Sequence, residues 1–127
     1  MRMPILEFTN AEDYIDHLKS RMTEMQQPKT RLDIGYEQGE PGEHGIRGVT
    51  FFAVATARLD DHIACWATPV YRSTNVDLEY FDKDQPEEKQ AKTKVWEGHR
   101  KIKERMEGDG LTVEPGKWRI DEPEYLS

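Results

Sequence analysis

The sequence predicts an α+β fold: an antiparallel sheet of three to five strands with two helices packed on one face, in the order α-β-β-β-(β)-α-β-β. Three observations carry that expectation. An apolar hairpin spans Val49 to Val70, apolar residues recur at helical spacing both before and after it, and residues alternate cleanly from Thr30 to Gln38. Residues 1–127 are expected to form a single domain, with 121–127 as an acidic tail. A chain of this size buries roughly two thirds of its unfolded surface, so it needs neither disulfide nor metal to fold.

The chain begins with Ile5-Leu6-Glu7-Phe8, a short strand or a lead-in that packs Phe8 as a staple. Thr9 and Glu12 have the spacing of a capping box, and Tyr14, Ile15, Leu18, Met22 and Met25 then form a helical stripe to about Gln26, where Gln27-Pro28 stops it. From Thr30 to Gln38, Leu32, Ile34 and Tyr36 face one way and Arg31, Asp33 and Glu37 the other, as in a half-exposed strand. Gly39 to Gly45 is a Gly/Pro loop rich in carboxylates.

In the hairpin, the turn Leu59-Asp60-Asp61-His62 sets the register whether its loop is counted as two residues or four. Arg58 faces Ile63, followed by Ala57/Ala64, Thr56/Cys65, Ala55/Trp66, Val54/Ala67 and Ala53/Thr68. One face then collects Phe51, Ala53, Ala55, Ala57, Ala64, Trp66 and Val70, and the other Phe52, Val54, Ile63, Cys65 and Ala67. Both are apolar. One serves the core helices, and the second needs another layer or another chain, which makes Phe52, Val54, Ile63 and Ala67 candidate interface residues.

Beyond the hairpin, Val76, Leu78 and Tyr80 alternate as in a further strand. Pro86 and the acids around it start a second helix that ends at Gly108-Asp109-Gly110, with the stripe Ala91, Val95, Gly98/His99, Ile102 and Met106 and with Trp96 on the flank. Leu111-Thr112-Val113 and Trp118-Arg119-Ile120 flank Glu114-Pro115-Gly116-Lys117, whose Pro-Gly centre suits a type II turn between two short strands.

Function is less legible. The net charge of −7 opposes general binding to phosphate backbones, and no apolar window reaches the length of a membrane span. The first residues hold too short an apolar stretch for a signal peptide, and the single cysteine, Cys65, suits a reducing compartment, so a cytoplasmic protein without a membrane partner is expected. No phosphate loop, nucleophile elbow or zinc spacing is present, which points away from an enzyme and implies no cofactor or metal. Two small clusters hold polar ligand types: Asp60-Asp61-His62 at the turn, and Glu40, Glu43 and His44 in the loop. Solvated turn residues explain both. Cys65 and His62 lie on opposite strand faces, so Cys65 is expected to be buried and structural rather than a nucleophile. Asp33 has no acid or lysine on the strand from Ile63 to Tyr71 to join it in a nuclease site.

The second helix carries Lys89, Lys92, Lys101 and Lys103 near Trp96, a basic patch able to contact nucleic acid. The Glu and Lys or Arg pairs four apart, such as Glu97/Lys101 and Arg100/Glu104, make a solvated salt-bridged face the simpler account. The helix-strand-strand-strand-helix order, with Lys89-Gln90-Ala91-Lys92 opening the second helix, resembles a double-stranded-RNA-binding domain, which implies phosphate contacts from that cluster. It departs from that family in the extra residues before the second helix and in its acidic charge. The order is also similar to that of the dimeric chaperones of secreted bacterial effectors, which implies a dimer that binds chain segments along apolar surfaces. The leading expectation is a small non-enzymatic module for protein binding, homodimeric through its apolar sheet face or edge. Nucleic-acid binding and a small-molecule or metal-dependent enzyme are the alternatives.

Overall fold

A computed structural model describes residues 3–21, 29–41, 47–73 and 86–116. The elements are β1 (Ile5–Phe8), α1 (Ala11–Arg21), β2 (Lys29–Pro41), β3 (Arg47–Arg58), β4 (Ile63–Ser73), α2 (Pro86–Gly108) and β5 (Thr112–Pro115). They form an α+β fold with one five-stranded sheet in the order β1-β4-β3-β2-β5. The sheet is mixed rather than antiparallel, and the described elements run β-α-β-β-β-α-β, with a strand ahead of the first helix, rather than in the expected order α-β-β-β-(β)-α-β-β. Strands β2, β3 and β4 form an antiparallel meander, while β1 lies parallel to β4 and β5 parallel to β2. A helix returns the chain to the end of the sheet it left, so the strands before and after it run the same way. β2 and β4 share a direction, and the edge strands joined to them through α1 and α2 adopt it.

The hairpin register is as expected from Arg58↔Ile63 through Ala53↔Thr68. Beyond it Phe52 still pairs with Pro69, and then Phe51 pairs with Tyr71, leaving Val70 in a bulge. The expected 39–45 loop is shorter than its composition suggests, because β2 continues through Gly39 and Glu40 to Pro41. Glu114 and Pro115 belong to β5 rather than to a type II turn, and Pro115 sits opposite Leu32. Gly116 lacks the positive φ such a turn requires; it is glycine because a Cβ there would collide with the Asp33 carboxylate and the Leu32 carbonyl. The expected end of the first helix with Met22 and Met25, the strand from Val76 to Tyr80, the Trp118-Arg119-Ile120 strand and the acidic tail lie outside the described residues.

Helix α1 is capped by Asn10, not by Thr9: the Asp13 amide donates to Asn10 Oδ1 at 2.8 Å, and Asn10 Nδ2 donates to Asp13 Oδ2 at 3.0 Å. Glu12 is thereby released from the cap and accepts from Arg105 of α2 at 2.5 Å, which holds its carboxyl below the usual range. Helix α2 ends in a Schellman motif. Gly110 adopts φ +92°, its amide donates to Glu107 O and the Leu111 amide donates to Met106 O, while Leu111 and Met106 are both buried.

Both helices lie on one face of the sheet. Ala11, Tyr14, Ile15 and Leu18 of α1 pack with Leu32, Ala53, Ala55, Ala57, Ala64 and Trp66, and Ala91, Val95 and Trp96 of α2 pack with Ile34, Val49 and Phe51. Small residues set the approach. A Cβ at Gly98 would stand 2.7 Å from the Val70 Cβ, so α2 lies against β4 at a distance only glycine permits. Tyr14 is fully buried and hydrogen-bonded to Thr30 Oγ1 at 2.7 Å, with Thr30 donating in turn to the Thr56 carbonyl at 3.2 Å. Among the described residues no helix is long and apolar enough to cross a membrane.

Candidate functional site

Three places concentrate chemistry. The first is at the β3–β4 turn, which closes with the Leu59 amide donating to the His62 carbonyl at 2.9 Å. Asp60 and Asp61 project into solvent, but His62 is buried at 9% exposure, which corrects the expectation of a solvated turn histidine. Its Nδ1 lies 2.5 Å from Asp61 Oδ1, and its Nε2 lies 2.8 Å from Nε2 of His17 on α1. An ionised carboxylate only accepts, so His62 carries its proton on Nδ1 and offers its Nε2 lone pair to the His17 Nε2–H. The His62 bond holds the Asp61 carboxyl below its ordinary range. Burial, then the neighbouring His62 and Arg21, pushes the His17 imidazole down, so it is neutral at pH 7. Phe8 of β1 packs on the His17 ring with centroids 5.0 Å apart. Among the described residues no three His, Cys, Asp or Glu side chains converge as an ion-binding group.

The second place is the sheet face opposite the helices. Phe52, Val54, Ile63 and Cys65 are half-buried, Ala67 is exposed, and none belongs to either buried cluster. Cys65 is therefore not the buried core residue expected, although partial burial and Glu7 push its thiol up. Register places Ile5 of β1 beside Ile63, and Ile5 is 65% exposed. Charges of both signs frame this apolar centre: Glu7 beside Cys65, Arg58 at the end of β3, and Arg31 bonded to Asp33 at 3.0 Å on β2.

The third is the outer side of α2. Lys89, Lys92, Trp96, Arg100 and Lys103 follow one another at helical steps and occupy one flank, whereas Lys101, nine residues from Lys92, lies half a turn away. The candidate set of lysines is thus divided, and Arg100 joins it. Trp96 sits on that flank and is buried there, packed edge-on to His99. Trp96, His99, Arg100 and Lys103 face Val113, Glu114 and Pro115 across a groove of about 400 Å³. Glu97 forms its ion pair with Lys94, at 3.8 Å, three residues back.

The remaining sequence candidates are dispersed. Glu43 and His44 lie outside the described residues, and the Asp33 carboxylate accepts from Arg31 rather than meeting a second acid. Sequence reasoning missed His17 altogether; its only signal was its place one residue before Leu18, at the margin of the α1 stripe. No family model matches the chain, and no curated protein or solved structure matches it either.

Proposed function

We propose that the protein is a small cytoplasmic, non-enzymatic binding module that pairs with a second copy of itself through the uncovered sheet face. The observation that carries this reading is the apolar centre of that face, Phe52, Val54, Ile63, Cys65 and Ala67, with both helices packed on the other side. The size fits a dimer. Five strands about 4.8 Å apart and up to about 40 Å long make a surface of roughly 800 Å², the amount each partner of a stable complex typically buries. The chemistry fits a second copy as well. Charges of both signs around the apolar centre, Glu7, Arg31, Asp33 and Arg58, supply the unlike partners that a self-complementary two-fold interface requires.

Light scattering at micromolar concentration tests this, with a dimer expected. Val54→Lys at the centre of the face should weaken the dimer by about a hundredfold or more, because an ammonium without a partner would be buried in the interface. The monomer should keep its circular dichroism spectrum, since Val54 faces away from the helices. A monomeric natural protein at tens of micromolar overturns the reading. If that monomer instead retains a different protein on the same face, the occupant was misassigned and the second copy is excluded.

One observation favours a second reading. Lys89, Lys92, Arg100 and Lys103 share a flank of α2, which gives the acidic chain a local basic surface for a nucleic-acid backbone. Salt-sensitive binding to duplex RNA or DNA would support it.

A further inference from the structure

The two edges of the sheet differ. β5 closes its own: Pro115 has no amide to offer a further strand, and Glu114 beside it is exposed. β1 has no proline or lysine, and its apolar side chains are bare. Ile5 is 65% exposed and Leu6 43%, two of the three large apolar residues exposed among those described. As neighbours in one strand they point to opposite sides, Ile5 beside Ile63 on the open face and Leu6 beside Ala64 on the helix side. A layer on either face covers one of them; only a strand laid along the edge covers both. The backbone is open on the same line. The Ile63 amide donates to the Pro4 carbonyl at 2.9 Å, and Ile5 is the residue that stands opposite Ile63. A parallel ladder turns alternate residues toward the neighbour, so Pro4 and Leu6 face β4 while the amides and carbonyls of Ile5 and Glu7 face outward. Among the described residues β1 is the last strand on that side.

We propose that β1 is an association edge, where a second copy of the chain lays its own β1 antiparallel about a two-fold axis at Leu6. In that register Ile5 of each copy stands opposite Glu7 of the other, and the four hydrogen bonds exchanged use every outward amide and carbonyl of these residues. The two Leu6 side chains meet at the axis, in the closely spaced pair without hydrogen bonds, and each covers the other. The neighbouring registers are worse. An axis at Glu7 sets two carboxylates face to face, and an axis at Ile5 moves Glu7 opposite Met3, outside the strand. The strand therefore selects one closed pairing with itself, which joins two five-stranded sheets into one, with the helices of both copies on the same side. This contact uses the edge and not the face, so it goes beyond the dimer proposed above and holds whether or not that dimer forms.

Two four-residue strands cover less surface than a stable complex needs, so a dissociation constant of about 0.1–1 mM is expected. Sedimentation velocity of Val54→Lys, in which the face contact is blocked, should show a monomer giving way to a dimer between about 10 µM and about 1 mM. Amide hydrogen exchange should slow at Ile5 and Glu7 as the concentration rises and stay constant at Leu6, whose amide already faces β4. Leu6→Lys in the same background should abolish the association, because two ammonium groups would meet at the axis. Leu6 is exposed, so the circular dichroism spectrum should not change. An equimolar mixture of Leu6→Lys and Leu6→Glu chains should restore the pairing, which no loss of fold can imitate. A Val54→Lys chain still monomeric at about 1 mM, or association equally strong in Leu6→Lys, overturns the edge. Failure of the mixture to associate overturns the register.

Discussion

The two faces of the central hairpin are both apolar in sequence and have opposite fates in the fold. On one, Ala53, Ala55, Ala57 and Ala64 lie at 5% exposure or less beneath the helices, with Phe51 and Trp66 filling the space that four alanines leave. On the other, larger residues such as Phe52, Val54 and Ile63 stay half-exposed, with no described element against them. Mean apolarity does not separate the faces; the covered one differs in setting four alanines beside its two large aromatics. Small residues let a helix approach a sheet closely, and Gly98 opposite Val70 is the same requirement met from the helix side. The open face presents apolar side chains of mixed size, suited to interdigitate with another sheet.

The sharpest way to break that comparison uses two alanines of one strand. Ala64 is fully buried on the covered face and Ala67, three residues on, is exposed on the open one. Ala64→Asp should cost about 4–5 kcal/mol or more, enough to unfold a marginally stable domain, because its carboxylate would be buried without a partner. Ala67→Asp should change the stability of the monomer by less than about 0.5 kcal/mol and appear only as a weaker dimer. Equal effects in chemical denaturation would mean that the faces are equivalent.

Trp66, 8% exposed and opposite Ala55, tests what fills the covered face. Trp66→Ala should leave a large cavity and cost about 3–5 kcal/mol, read from the urea midpoint at constant m-value. A smaller effect is expected where the helix meets the sheet. Gly98→Ala places a methyl 2.7 Å from the Val70 Cβ, and the shift needed to accommodate it should cost about 1–3 kcal/mol despite the better helix propensity of alanine. Stabilisation by this substitution would show that α2 does not lie so close to β4.

The sequence alone determined whatever depends on neighbours along the chain. The hairpin register followed from the Leu59–His62 turn, since a hairpin has one symmetry point and every pair is counted from it. The stripes Tyr14-Ile15-Leu18 and Ala91-Val95-Ile102-Met106 followed from helical period, and the end of α2 from Gly110, where φ +92° suits a residue without a Cβ. Even so, local pattern misplaced the N-cap by one residue. Asn10 and Thr9 are both capable caps, and the choice goes to the one that frees Glu12 to meet Arg105 on another helix.

Tertiary structure decided what depends on partners remote in sequence. Strands β1 and β5 are four residues each, too short to carry a period, and their parallel pairing follows from the helices that carry the chain back. His17 and His62 meet only because α1 docks beside the β3–β4 turn; neither residue's surroundings in the sequence name the other. The same holds for the hairpin's two faces. Alternation marks both as apolar, but which one is covered depends on where two helices settle, and that rests on the space above four alanines together with Gly98 of α2, which meet the opposite element only in the fold.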